Sequence, residues 1–303
     1  MGLSAGQGIY ITNPESQKFL AGFGSNQQSE INKAFFCLND THVISLDQQG
    51  SLLLYEIKSK KITKHFEHEY KFINLEIWDD DSLALAIDQT KRAFIFDLEK
   101  GDKIKDFELK NWPNVPYGRP NLVSPSGKFF ANFHSKNQLD IIDMTKEDNF
   151  QEFSFKLPEQ SPQNWQKRFA FAPDEKHLIV SDRQHPRNAT LYNFNSKEKI
   201  RSFTGHGATI QSLVFSKDGK RLYSTSLDQT CKVWEVDSGK ELLSFPIGHS
   251  TSLSISEDNF WLSVIFDWDT KVYKAANWMM SKEDFFSDCK LNYKNWIQEN
   301  IWD

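Results

Sequence analysis

A chain of 303 residues with 39% hydrophobic and 14% aromatic residues holds enough apolar material for one large core and leaves too little for a second domain beside it. Its net charge of −5 argues against a general nucleic-acid binder, which is more often basic. The three cysteines, Cys37, Cys231 and Cys289, lie far apart without C-x-x-C spacing, and neither a basic start with a long apolar core nor a span-length apolar run occurs. The expectation is a cytoplasmic protein with no disulfide framework, no zinc site and no membrane span.

In chain order, short apolar runs alternate with turn-rich polar segments. Leu3 to Ala5, Ile9 to Thr12 and Lys18 to Phe23 read as the second, third and fourth strands of a first repeat whose innermost strand is missing. SLDQQGSLLLYEI follows, with Asp47 at a turn and Tyr55 near the end of a strand, and AIDQTKRAFIFDL repeats the pattern with Asp88 and Phe96. Between them, Asp79, Asp80 and Asp81 fall on a hairpin turn, where three carboxylates are more often solvated than metal-bound. Four further turns, Pro125 to Lys128, Pro173 to Lys176, Ser216 to Gly219 and Ser256 to Asn259, each sit between two apolar runs. At the end, Ser281 to Asp284 reads as a helix start, and Phe285, Phe286, Cys289, Tyr293, Trp296 and Ile297 recur at helical spacing.

The stretch Gly205 to Val236, GHGATIQSLVFSKDGKRLYSTSLDQTCKVWEV, is the template for the rest. A Gly-His pair opens it, and Asp228 stands six residues before Trp234. In these features it resembles one complete WD40 repeat. The Trp234 position is matched by Tyr10, Tyr55, Phe96, Ile142, Tyr192 and Tyr273, at successive spacings of 45, 41, 46, 50, 42 and 39 residues. Asp47 and Asp88 are read as matches to Asp228, with Asp182 a weaker one. The resemblance implies an all-β, seven-bladed WD40-type β-propeller over residues 1–275, its first blade incomplete at the N-terminus. A short helical C-terminal tail, residues 276–303, is expected to pack on the propeller.

The same resemblance implies that His206, Asp228, Trp234 and Ser224 or Ser226 form a buried polar chain, each group satisfying the next. A catalytic Ser-His-Asp set would instead need an exposed nucleophile and an oxyanion site, and neither is signalled. No phosphate loop or metalloprotease motif occurs, and Glu76 and Asp140 are carboxylates that nothing singles out for catalysis. No cofactor and no metal are expected.

In WD40 proteins the turns between second and third strands and the linkers between blades share one face. Here those segments carry Lys91, Arg92, Arg119, Lys136, Lys167, Arg168, Arg183, His185 and Arg187, together with Trp112, Tyr117 and Trp165 on two proline-bearing linkers. Stiff loops with aromatics and guanidinium groups suit a peptide, and the cations suit an acidic or phosphorylated one. The expected function is a non-catalytic scaffold for another protein or peptide, a monomeric propeller within a complex. A second reading is the sensor portion of a larger signalling protein, because Phe285, Cys289, Asn292 and Trp296 faintly resemble the segment after WD40 sensor domains in bacterial NTPases and caspase-like proteins. A propeller enzyme is the third.

Overall fold

The computed structural model describes residues 2–5, 8–12, 19–24, 30–78, 82–109, 123–133, 138–146, 152–156, 169–181, 187–249, 252–255, 261–265 and 270–274. Among them every regular element is a strand. The expected helical tail, the turn Ser256 to Asn259, Asp182 and the Asp79 to Asp81 cluster lie outside the described residues. The chain divides into two compact units, Met1–Gly205 and His206–Asp303.

Among the described residues the first unit holds five antiparallel sheets, each a meander of strands consecutive in sequence. They are β1 (Gly2–Ala5), β2 (Gly8–Thr12) and β3 (Phe19–Gly24); β4 (Ile31–Cys37), β5 (His42–Asp47), β6 (Leu52–Glu56) and β7 (Lys61–Phe66); and β8 (Phe72–Ile77), β9 (Leu83–Asp88), β10 (Arg92–Asp97) and β11 (Asp102–Glu108). Next come β12 (Phe129–Phe133), β13 (Gln138–Asp143) and β14 (Glu152–Lys156), then β15 (Phe169–Phe171), β16 (His177–Ser181), β17 (Asn188–Asn193) and β18 (Glu198–Thr204). The second unit holds β19 (Ile210–Phe215), β20 (Arg221–Ser226), β21 (Thr230–Glu235) and β22 (Glu241–Pro246), and a sheet of β23 (Ser252–Ile255), β24 (Trp261–Ile265) and β25 (Thr270–Lys274). Four sheets have the four-stranded form of a propeller blade. Tyr10, Tyr55, Phe96, Ile142, Tyr192, Trp234 and Tyr273 lie on β2, β6, β10, β13, β17, β21 and β25, one on each sheet.

Burial explains the form of each blade. The second strands β5 and β9 are buried at nearly every position, so both faces of the sheet are covered, while the fourth strands β7, β11, β18 and β22 are largely exposed. Apolar clusters fill the layers between consecutive sheets: Ile9, Ile11, Val43 and Tyr55 between the first two, Leu46, Leu54, Phe72 and Phe94 between the next two, and Leu85, Phe130, Phe169 and Phe194 beyond. In the second unit, Tyr223, Val233, Leu253 and Leu262 do the same. A blade alone would leave both faces wet, which is why the sequence repeats rather than folding sheet by sheet. The exposed outer edges carry Ile62, Ile104, Ile200 and Leu242 beside register shifts in all four pairings. Bulges of this kind twist an edge out of reach of a second strand.

The turns between first and second strands share one construction. Gly127 N donates to Ser124 O, Glu175 N to Ala172 O and Gly219 N to Ser216 O, and Gly127, Glu175 and Gly219 all have positive φ. At Gly127 (φ +73) there is no room for a side chain, since a Cβ would lie 2.4 Å from Nε1 of the buried Trp78. Gly127→Ala therefore combines left-handed strain with displacement of a packed indole, and a loss of about 2–4 kcal/mol is expected in urea unfolding. A loss below about 1 kcal/mol would mean that Trp78 slides aside without cost.

Candidate functional site

In the sixth sheet the four residues of the expected polar chain meet. Trp234 Nε1 donates to Ser224 Oγ at 2.8 Å, Ser224 Oγ lies 2.7 Å from His206 Nε2, and His206 Nδ1 lies 2.8 Å from Asp228 Oδ2. The carboxylate accepts only, so His206 carries its proton on Nδ1, and the hydroxyl of Ser224 donates to Nε2. Asp228 also accepts from Gly207 N, Thr230 N and Thr230 Oγ1. Burial alone would raise the Asp228 carboxyl, but the bonds from Thr230, Gly207 and His206 outweigh it and hold the pKa at about 2. Burial pushes the His206 pKa down despite the neighbouring carboxylate, which keeps the ring neutral, as this donor order requires.

Ser224, His206 and Asp228 thus make the contacts of a catalytic triad without its access. Ser224 is 1% exposed, and its oxygen is already engaged by the indole. Ser226 is committed elsewhere, donating to Ala208 O and accepting from Asp228 N. What the arrangement does chemically is satisfy buried polar groups and pin the loop before β19 to the β20–β21 turn.

The register corrects the reading of Asp47 and Asp88 as counterparts of Asp228. Gly50 N donates to Asp47 O, Lys91 N to Asp88 O and Gln229 N to Ser226 O, and Gly50, Lys91 and Gln229 share a left-handed φ. Strand pairing agrees, with Ile31 opposite Asp47, Phe72 opposite Asp88 and Ile210 opposite Ser226. Asp47 and Asp88 therefore occupy the Ser226 position, two residues before the Asp228 position. Each uses Oδ1 to bind the amides of its own turn: Gln49 and Ser51 for Asp47, Thr90 and Arg92 for Asp88. The sequence held the signal, because Asp228 precedes its aromatic by six residues while Asp47 and Asp88 precede theirs by eight.

One residue the sequence reading missed stands at the His206 position. His68 lies four residues before the start of β8, as His206 does before β19, and its Nε2 is 2.9 Å from Asp88 Oδ2. Ala86 and Phe96 replace the serine and the tryptophan, so this dyad has no relay behind it. Burial works to raise the Asp88 carboxyl, but hydrogen bonds from His68, Arg92 and Thr90 bring it below the usual range.

Of the twelve residues expected on this face, Trp112, Tyr117, Arg119, Lys136, Trp165, Lys167, Arg168, Arg183 and His185 lie outside the described residues. Lys91 and Arg92 stand together at the β9–β10 turn, and Arg187 is exposed just before β17. Arg92 is not free: its Nε lies 2.5 Å from Asp106 Oδ2 and its Nη2 contacts the same oxygen, while Lys103 takes Oδ1 at 2.8 Å. Surface pairs of this sort are worth about 1 kcal/mol or less, so an anionic ligand can compete for Arg92. Glu76 is paired with Lys33 at 2.7 Å, and Asp140 is buried on β13. Among the described residues no three His, Cys, Asp or Glu side chains gather as metal ligands, and no helix is long and apolar enough to cross a membrane.

The family profile described as "WD domain, G-beta repeat" matches residues 197–235. The chain is similar to the tRNA (guanine-N(7)-)-methyltransferase non-catalytic subunit wuho of Aedes aegypti, 28% identical over 188 residues, which is 59% of this chain and 44% of that protein. It is also similar to apoptotic protease-activating factor 1 of Danio rerio, 22% identical over 217 residues, covering 68% of this chain and 13% of that one. The chain spans less than half the length of these two relatives. In fold it resembles a chain in the crystal structure of the mitotic checkpoint complex, with a TM-score of 0.67 at 14% identity, over 91% of this chain and 84% of that chain. The profile match ends one residue beyond Trp234, on the blade whose histidine, serine, aspartate and tryptophan interlock, and that blade is similar to the repeat of WD40 proteins.

Proposed function

We propose that the chain is a non-catalytic interaction scaffold, a seven-bladed propeller that holds a segment of another protein on the face formed by its inter-blade linkers and second-to-third-strand turns. The observation that carries this is the similarity of 59% of the chain to a protein named as a non-catalytic subunit. The sealed Ser224 supports it, because the chain's triad-like set serves packing. Lys91, Arg92 and Arg187, with Arg119, Arg168, Arg183 and His185 from the same class of segments, favour an acidic or phosphorylated segment, which rigid guanidinium groups bind in directed pairs.

The test is a pull-down from the native host with wild type and with Arg119→Glu, Arg183→Glu, Arg187→Glu combined. Acidic or phosphorylated partners are expected to be lost while the circular dichroism spectrum stays the same. An unchanged set of partners would reject this face. A second reading, a regulatory portion of a longer signalling protein, is favoured by the match of 68% of this chain to 13% of apoptotic protease-activating factor 1.

A further inference from the structure

A cleft of about 360 Å³ opens in the first compact unit, between the β5–β6 turn at Gln49 to Ser51 and the segment His65 to Phe72 that ends β7 and leads into β8. Its two walls touch backbone to backbone. Gly50 has φ +86, and a Cβ there would lie 2.6 Å from Lys71 Cβ and 2.9 Å from Phe72 N. The cleft is therefore fixed in shape by a residue that tolerates no side chain.

His68 lines this cleft and is a fixed hydrogen-bond acceptor. Asp88 Oδ1 is taken by Thr90 N, Thr90 Oγ1 and Arg92 N, and Oδ2 faces His68 Nε2. A carboxylate can only accept, so Nε2 carries a proton, and in the neutral ring the Nδ1 lone pair is available. No hydrogen bond to Nδ1 exists among the described residues. Phe72 stacks on the ring at 5.0 Å and Phe94 meets it edge-on at 4.4 Å, locking its orientation. The equivalent nitrogen of His206 is consumed by Ser224, and its side chain is fully enclosed, whereas the His68 side chain is 21% exposed.

The groups around His68 are those a cation needs. Glu67 and Glu69 are exposed on the cleft, and Tyr70 presents 41% of its surface with its ring centroid 6.1 Å from that of His68. Lys71 and His65 share the lining, so two carboxylates face one permanent cation.

We propose that this cleft receives a lysine or arginine side chain from a protein segment, its charge set against Glu67 and Glu69, its stem or guanidinium plane over Tyr70, and one N–H donated to His68 Nδ1. Exposed aromatic rings attract such cations, and a planar guanidinium matches carboxylate acceptors in direction as well as charge. The ligand chemistry is opposite to that of the acidic segment assigned to Arg119, Arg183 and Arg187, which belong to other turns and linkers of the same class, so the two readings are tested by separate residues and stand or fall separately.

The test is fluorescence anisotropy with two labelled Gly-Ser peptides, one carrying paired arginines and the other paired aspartates. The arginine peptide is expected to bind wild type and to weaken about tenfold with Glu67→Gln, Glu69→Gln, Tyr70→Ala combined, with the aspartate peptide indifferent to those changes. Glu67→Gln and Glu69→Gln tested singly, with melting temperatures unchanged, separate lost charge from lost folding. No binding of the arginine peptide to wild type, or equal binding to wild type and variants, would overturn the assignment. Loss of aspartate-peptide binding on Arg119→Glu, Arg183→Glu, Arg187→Glu reports on those arginines and leaves the cleft assignment standing.

Discussion

Trp234→Ala is expected to lower the stability of the second compact unit by about 3–5 kcal/mol, the usual loss when a buried indole is cut to a methyl group. Trp234 is 2% exposed, and its ring meets His206 edge-on at 6.0 Å. The damage runs past the cavity. Ser224 loses the donor that fixes its oxygen, so the hydroxyl that serves His206 Nε2 loosens, and with it the loop that Gly207 N ties to Asp228. Trp234→Phe separates the two effects, keeping most of the ring but not the N–H, and should cost about 1–2 kcal/mol. Urea unfolding followed by circular dichroism at 218 nm, a strand signal at ~218 nm independent of the deleted fluorophore, measures both. Equal losses for alanine and phenylalanine would mean that the hydrogen bond, and not the packed ring, dominates at this site.

The sequence made the blade around Trp234 legible because there the fold and the side-chain chemistry agree. His206, Ser224, Asp228 and Trp234 sit at spacings that close one hydrogen-bonded chain, and the hydrophobic pattern of β19 to β21 marks the strands between them. Where that agreement lapses, residue letters mislead. The runs SLDQ at Ser45 and at Ser226 look alike, yet the turn hydrogen bonds put Asp47 level with Ser226. A hairpin is counted from its paired strands, and those pairings are long-range facts that a local match does not contain. His68 escaped for a related reason: Glu67 precedes it instead of glycine, and its acceptor had moved two residues along the turn from the Asp228 position. Contacts between sheets, such as Trp78 on Gly127 or Lys33 on Glu76, were out of reach because each joins segments more than forty residues apart on different blades, and stacking geometry alone brings such segments together.

The Lys33 and Glu76 pair carries the other large effect. Lys33 on β4 reaches across to β8, donating to Glu76 Oε1 at 2.7 Å and to Leu75 O at 3.2 Å. The side chain of Glu76 is only 6% exposed. Burial raises its pKa above the ordinary 4.5, and the Lys33 charge and hydrogen bond pull against that rise. A carboxyl whose folded pKa is raised favours folding most below its unfolded value, and that contribution is lost as pH climbs through the folded value. Lys33→Met removes the opposing charge, pushes the folded pKa higher still and leaves an uncompensated buried carboxylate at neutral pH. The expected loss is about 3–5 kcal/mol at pH 7, shrinking as the pH is lowered towards the unfolded value and Glu76 becomes protonated. Adding Glu76→Gln to Lys33→Met should restore most of the stability at pH 7 and abolish the pH dependence, because a neutral amide has no charge to strand. Urea midpoints of the single and double variants at pH 7 and at a pH near the carboxyl pKa give the coupling directly. A Lys33→Met loss that is the same at both pH values would show that the lysine stem, through its packing, matters here and the ion pair does not.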